Sequence, residues 1–120
     1  MKLIIDEHSL TPPFEQLRQQ VVDAVRTGTA APGDKLPTVR RLADELGLAP
    51  NTVARAYREL EQGEVIETRG RLGSFIAATG DPTSRQAQRA AAEFAERMRG
   101  LGLDAQDALA LAAAALGIRP

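Results

Sequence analysis

The stretch TVRRLADELGLAPNTVARAYREL, residues 38–60, decides how this chain folds. Val39, Leu42, Ala43 and Leu46 recur at helical spacing, and Gly47 then breaks the run. Thr38 stands where an N-cap belongs, its hydroxyl placed to accept from a free amide of the first turn. Pro50 suits the first position of a further helix, in which Val53, Ala56, Tyr57 and Leu60 form the apolar stripe and Gly63 marks the end. Two short helices joined by a tight, glycine-containing turn form a helix-turn-helix.

The elements on either side fit that motif. Upstream, residues 1–13 read as a lead-in in which Leu3, Ile4 and Ile5 suit a short extended segment. Pro12 and Pro13 stop any regular structure there and allow a helix to begin. Phe14, Leu17, Val21, Ala24 and Val25 then give an amphipathic helix ending near Gly28. Ala31 to Asp34 is a turn cluster, and Lys35-Leu36 leaves room only for a very short strand. Downstream, residues 65–69 and 74–77 are β-prone and flank Gly70 to Gly73, which reads as a hairpin. A hairpin directly after a helix-turn-helix is a wing.

Beyond a linker over 79–82, with Asp81 as the expected cap, a fourth helix is predicted over 83–99. Ala87, Ala91, Phe94, Ala95 and Met98 share one of its faces, and Phe94 and Met98 read as core residues. Gly100-Leu101-Gly102 breaks it. Asp104 caps a fifth helix with Ala105, Ala108, Leu109, Ala112, Ala115 and Leu116 on one stripe, ending at Gly117. The fold class expected is mainly α with a small β-hairpin wing (α+β). It comprises a winged helix-turn-helix over 1–78 and a helical tail over 79–120. Only 3% of the residues are aromatic, so the core must be built of Leu, Val, Ile and Ala, which favours oligomerisation as added stabilisation. Ala87, Ala91, Phe94, Met98, Leu101, Leu109, Ala112 and Leu116 are the residues expected to pair two copies of the tail.

Charge is the obstacle to a DNA-binding reading. The formal net charge is -1. From Asp34 to Ser74, seven basic residues (Lys35, Arg40, Arg41, Arg55, Arg58, Arg69, Arg71) face seven acidic ones (Asp34, Asp44, Glu45, Glu59, Glu61, Glu64, Glu67). Spacing sorts them. With the stripe of the third helix turned inward, Asn51, Thr52, Arg55 and Arg58 fall on its outer face or flanks. Such side chains near a helix N-terminus reach base edges and phosphates. Glu59, Glu61 and Glu64 gather at the far end. Arg40 and Arg41 lie in the first turn of the second helix beside Thr38, the end that docks on the phosphate backbone. Arg69 and Arg71 bracket Gly70 at the wing tip, where an arginine enters a minor groove.

With no cysteine, disulfides, thiolate zinc sites and thiol catalysis are excluded. His8 is alone and reads as a surface residue. No metal and no cofactor is expected. No membrane span or signal peptide is expected either, which points to the cytoplasm. The chain lacks a His–carboxylate pair, a nucleophile motif and a phosphate-cradling Gly loop, so it does not read as an enzyme. One rival reading stays open. The near-neutral charge suits a winged-helix protein-interaction module that never touches DNA.

Residues 13–76 resemble the GntR family of bacterial regulators. The resemblance is carried by GDKLPTVRRLA (33–43), LGLAPNTV (46–53), AYRELE (56–61), Gly63, Arg69-Gly70 and GSFI (73–76). Larger members carry a ligand-binding or aminotransferase-like domain after the wing. The short tail here looks like the YtrA subfamily, whose tail helices dimerise. The resemblance implies a cytoplasmic, homodimeric repressor on a palindromic operator in double-stranded DNA, with a small-molecule effector of unspecified identity as a further partner. A cleft between tail and DNA-binding domain would suit an apolar effector. It also implies contacts from Arg40 to phosphate or base, from Thr52 in the recognition helix, and from Gly70 beside the minor groove. Thr38, Arg41, Pro50, Asn51, Arg55, Arg58, Arg69 and Arg71 complete the expected DNA-binding set. Two positions depart from the family. Ala49 replaces a capping Ser or Thr, and Ala54 stands where many members have Arg. Arg55 points about 100° further round the helix.

Overall fold

The computed structural model describes residues 1–79 and 82–118. They divide into two compact units, Met1–Thr79 and Gly80–Pro120.

In the first unit, α1 (Pro13–Arg26), α2 (Val39–Leu46) and α3 (Pro50–Gln62) precede a hairpin of β1 (Ile66–Thr68) and β2 (Ser74–Ile76). The hairpin is antiparallel, with Ile66 opposite Ile76 and Thr68 opposite Ser74. Lys35 bridges to Phe75, so the predicted very short strand pairs with β2 as a single β-bridge. One apolar core joins these elements: Leu17 and Val21 of α1, Leu42 and Ala43 of α2, the four stripe residues of α3, Leu36, Ile66 and Ile76. Val53 and Ala56 are fully buried, which seats α3 at the centre.

Local chemistry sets the helix ends. Thr38 caps α2 by accepting from the Arg41 amide at 3.2 Å. Gly47, at φ 67, ends α2 in the left-handed conformation that glycine adopts without a Cβ penalty. The same closure at the end of α3 falls to Glu64 at φ 60, not to Gly63, whose φ is -81. The amides of Glu64 and Val65 bond back to Glu61 and Leu60, as in a glycine-closed helix.

The lead-in is laid along α1 by two side chains one turn apart. Gln20 accepts from the Ile4 amide at 3.0 Å and donates to its carbonyl at 2.7 Å. Gln16 does the same for Asp6 at 2.9 and 3.1 Å. Two glutamines thus stand in for a strand partner, and Leu3 and Ile5 reach the core.

The second unit contains α4 (Pro82–Gly100) and α5 (Ala105–Ala115). The expected cap Asp81 lies outside the described residues. Asp104 caps α5, accepting from the Asp107 amide at 2.8 Å. No described residue of this unit is buried. Phe94 and Met98 are therefore not core residues of the single chain: Phe94 is exposed and Met98 half-buried. Nor does α5 carry its apolar residues on one stripe. Residues 108–116 contain no polar side chain, and Leu111, off the expected stripe, is exposed, as are Leu109 and Leu116.

Candidate nucleic-acid interface

Tyr57 fixes the geometry of the helix-turn-helix. Its ring is buried, and its hydroxyl donates to the Pro37 carbonyl at 2.6 Å, tying α3 to the turn that launches α2. Burial, with the Glu45 carboxylate as a lesser cause, pushes the phenol up to about 12. Tyr57 is thus a core residue with a satisfied polar end and is not a base-stacking platform.

Around this frame several carboxylates are drawn into local partnerships. Glu45 takes Arg41 at 2.9 Å, and Glu67 takes Arg69 at 2.7 Å. Glu61 accepts from the Thr68 hydroxyl at 3.1 Å, linking α3 to β1. Glu15 pairs with Arg18, whose hydrogen bonds hold the Glu15 carboxyl below its ordinary range. Glu59 is half-buried, and its charge helps raise the Arg18 pKa.

The expected DNA-binding residues then fall into two groups. Arg40 in the first turn of α2, Arg58 on α3 and Arg71 at the wing tip are exposed and make no ion pair among the described residues. Thr38, Pro50 and Asn51 are also exposed, whereas Thr52 is half-buried. Thr38 caps through its oxygen, which leaves its O–H free to donate outward. Pro50 opens α3, where Ala49 supplies no side-chain cap.

Arg41, Arg55 and Arg69 are placed differently. Arg55 does not stand clear of α3: its guanidinium lies 3.7 Å from the centre of the Phe14 ring on α1. Arg69 does not reach the wing tip. It folds back between Glu67 and the Phe75 ring, 4.3 Å from that centroid, and is half-buried. Arg41 stays exposed but is held by Glu45 one turn on. The wing tip is therefore a 3-10 turn, Gly70–Leu72, with one charged side chain, Arg71.

Sequence reasoning did not single out Lys35, which the fold brings beside the wing. It is exposed, its backbone bridges to Phe75, and its Cε lies 3.4 Å from where a Cβ on Gly73 would stand. It adds a cation beside the wing. Its place on the one-residue bridge was the available signal.

Comparison with known proteins shows the family. The model of the gntR family of bacterial regulatory proteins matches residues 13–76. The chain is 52% identical over 107 residues to the HTH-type transcriptional regulator Rv1152 of Mycobacterium tuberculosis, covering 89% of this chain and 88% of that one. It is 44% identical over 79 residues to the HTH-type transcriptional repressor YtrA of Bacillus subtilis, covering 66% and 61%. Among solved structures, YtrA from Sulfolobus acidocaldarius, a GntR-family transcription factor, aligns with a TM-score of 0.61 at 30% identity, over 79% of this chain and 97% of that one. The chain belongs to the GntR family of bacterial regulatory proteins and is similar within it to the YtrA-type transcriptional regulators.

Proposed function

We propose that the chain acts as a homodimeric repressor on a twofold-symmetric DNA operator. In this reading α3 enters the major groove with Asn51 and Arg58, the first turn of α2 sets Thr38 and Arg40 on phosphate, and the wing brings Gly70 and Arg71 to the adjacent minor groove. One observation carries it. Arg40, Arg58 and Arg71 are exposed and outside any ion pair among the described residues on three separate elements, whereas Glu45 and Glu67 are each held by a neighbouring arginine. A protein-interaction module has no need for free arginine on turn, helix and wing at once. Arg41, Arg55 and Arg69 act in this reading as supports for α2, α3 and the wing.

Dimerisation is supported by the second unit. Six of the ten exposed large apolar residues lie there, at Phe94, Leu101, Leu109, Leu111, Leu116 and Ile118. A two-helix unit without a buried residue among those described gains its stability from a partner. A second copy is the partner that also duplicates the DNA-reading helix, with half-sites about one helical turn apart. A small-molecule effector that releases the operator completes the reading.

The test is a titration against a fluorescent duplex carrying the gene's own upstream region, with random duplex as competitor. The expected result is saturation at two protomers per site, displaced only weakly by random DNA, and loss of binding in Arg40→Glu/Arg71→Glu. Binding no tighter than to random DNA would favour the protein-interaction reading.

A further inference from the structure

Of the ten exposed large apolar residues, six lie in the second unit and three (Met1, Ile4 and Leu10) in the lead-in. The tenth is Leu72, 64% exposed, on the wing. It closes the 3-10 turn directly after Arg71, between Gly70 at φ 53 and Gly73 at φ 107. The turn is closed at its base. The Arg69 amide donates to the Gly73 carbonyl at 2.8 Å, and the Leu72 amide to the Arg69 carbonyl at 3.0 Å. Arg69 itself is packed on Phe75. Leu72 is therefore presented on a braced support, and no described residue of the chain covers it.

We propose that Leu72 is a DNA-contacting residue that selects A·T over G·C base pairs in the minor groove beneath the wing. The inference rests on the DNA-binding reading above. Apolar side chains are a known means of engaging the minor groove. An A·T or T·A edge there shows only acceptors, whereas G·C adds the guanine N2 amino donor. An isobutyl group pressed against that amine strips its water and offers no acceptor in return, which is costly. Against an A·T edge no donor is orphaned. Arg71 adds to the same preference, because narrow A·T minor grooves carry enhanced negative potential.

The test uses the full chain and three operator duplexes that differ only in the minor-groove segment protected by the wing, as mapped by hydroxyl-radical footprinting. That segment is A·T, G·C or I·C. Inosine lacks the N2 amine, so I·C resembles A·T in the minor groove and G·C in the major groove. Wild type is expected to bind the A·T and I·C duplexes alike and the G·C duplex about tenfold more weakly. Leu72→Ala is expected to lose most of that preference without changing the salt dependence, since no charge is removed. Wild-type binding with the preference intact in Leu72→Ala, or I·C behaving as G·C, would overturn this inference alone. Failure of wild type to bind any operator duplex better than random DNA would overturn the DNA-binding reading, and this inference with it.

Discussion

Tyr57 is the only tyrosine of the chain, so its hydroxyl can be followed directly. Tyr57→Phe leaves the Pro37 carbonyl without its donor and is expected to cost about 1 to 2 kcal/mol in chemical denaturation near neutral pH. The phenol ionises near 10 in the unfolded chain and at about 12 in the folded one. Between those values the unfolded chain gives up the proton first, so the contribution is complete below pH 10 and is lost as pH rises through 12. Wild type is therefore expected to lose on the order of 2 to 3 kcal/mol relative to Tyr57→Phe over that window. Parallel stability curves for the two proteins would refute the assignment. Glu64 is a second diagnostic residue. A glycine at this left-handed position carries no Cβ penalty, so Glu64→Gly is expected to add about 0.5 to 1 kcal/mol, read as a rise in the denaturant midpoint at constant slope. The sequence marked the helix end correctly at Gly63, while the left-handed residue is its neighbour Glu64, which only the backbone reveals.

At the scale of elements, each helix end whose cap is local was legible: Thr38 and Asp104 sit beside the amides they satisfy. The wing was legible as a hairpin but not in its detail. Arg69 and Arg71 are equivalent in a one-dimensional reading, yet the strand pairing puts Phe75 opposite Glu67, and Arg69 closes over both. Arg69→Ala is accordingly expected to lower global stability by about 1 kcal/mol, against little change for Arg71→Ala, when the two are melted side by side. Equal effects would mean that Arg69 is not a brace. The packing of Arg55 on Phe14 was not legible for a similar reason. Its partner Phe14 lies far off in sequence on α1, and that packing has no local signature. The glutamine clamps on the lead-in escaped notice because Gln16 and Gln20 read as ordinary polar positions of an amphipathic helix.

At the scale of the whole molecule, the first unit has a core of its own and the second has none among its described residues. In the proposed dimer that asymmetry assigns the interface to the tail. Leu109→Asp/Leu116→Asp is expected to convert a dimer to a monomer in sedimentation velocity while leaving the Tyr57 titration unchanged, since that residue belongs to the other unit. A dimer that survives both substitutions would place the interface elsewhere. Composition alone obscured the DNA-binding function, because a net charge does not say on which elements the basic side chains stand.

In the proposed complex Arg40, Arg58 and Arg71 face DNA while Arg41, Arg55 and Arg69 hold the fold. The most direct test compares two triple alanine variants, one for each set, so that both lose the same three charges. Operator affinity is measured across a range of salt concentrations. The predicted result is a salt slope that shrinks by about 0.9 for each phosphate no longer neutralised, and does so only when Arg40, Arg58 and Arg71 are removed. Equal shrinkage in the two variants, or none in the first, would contradict that claim.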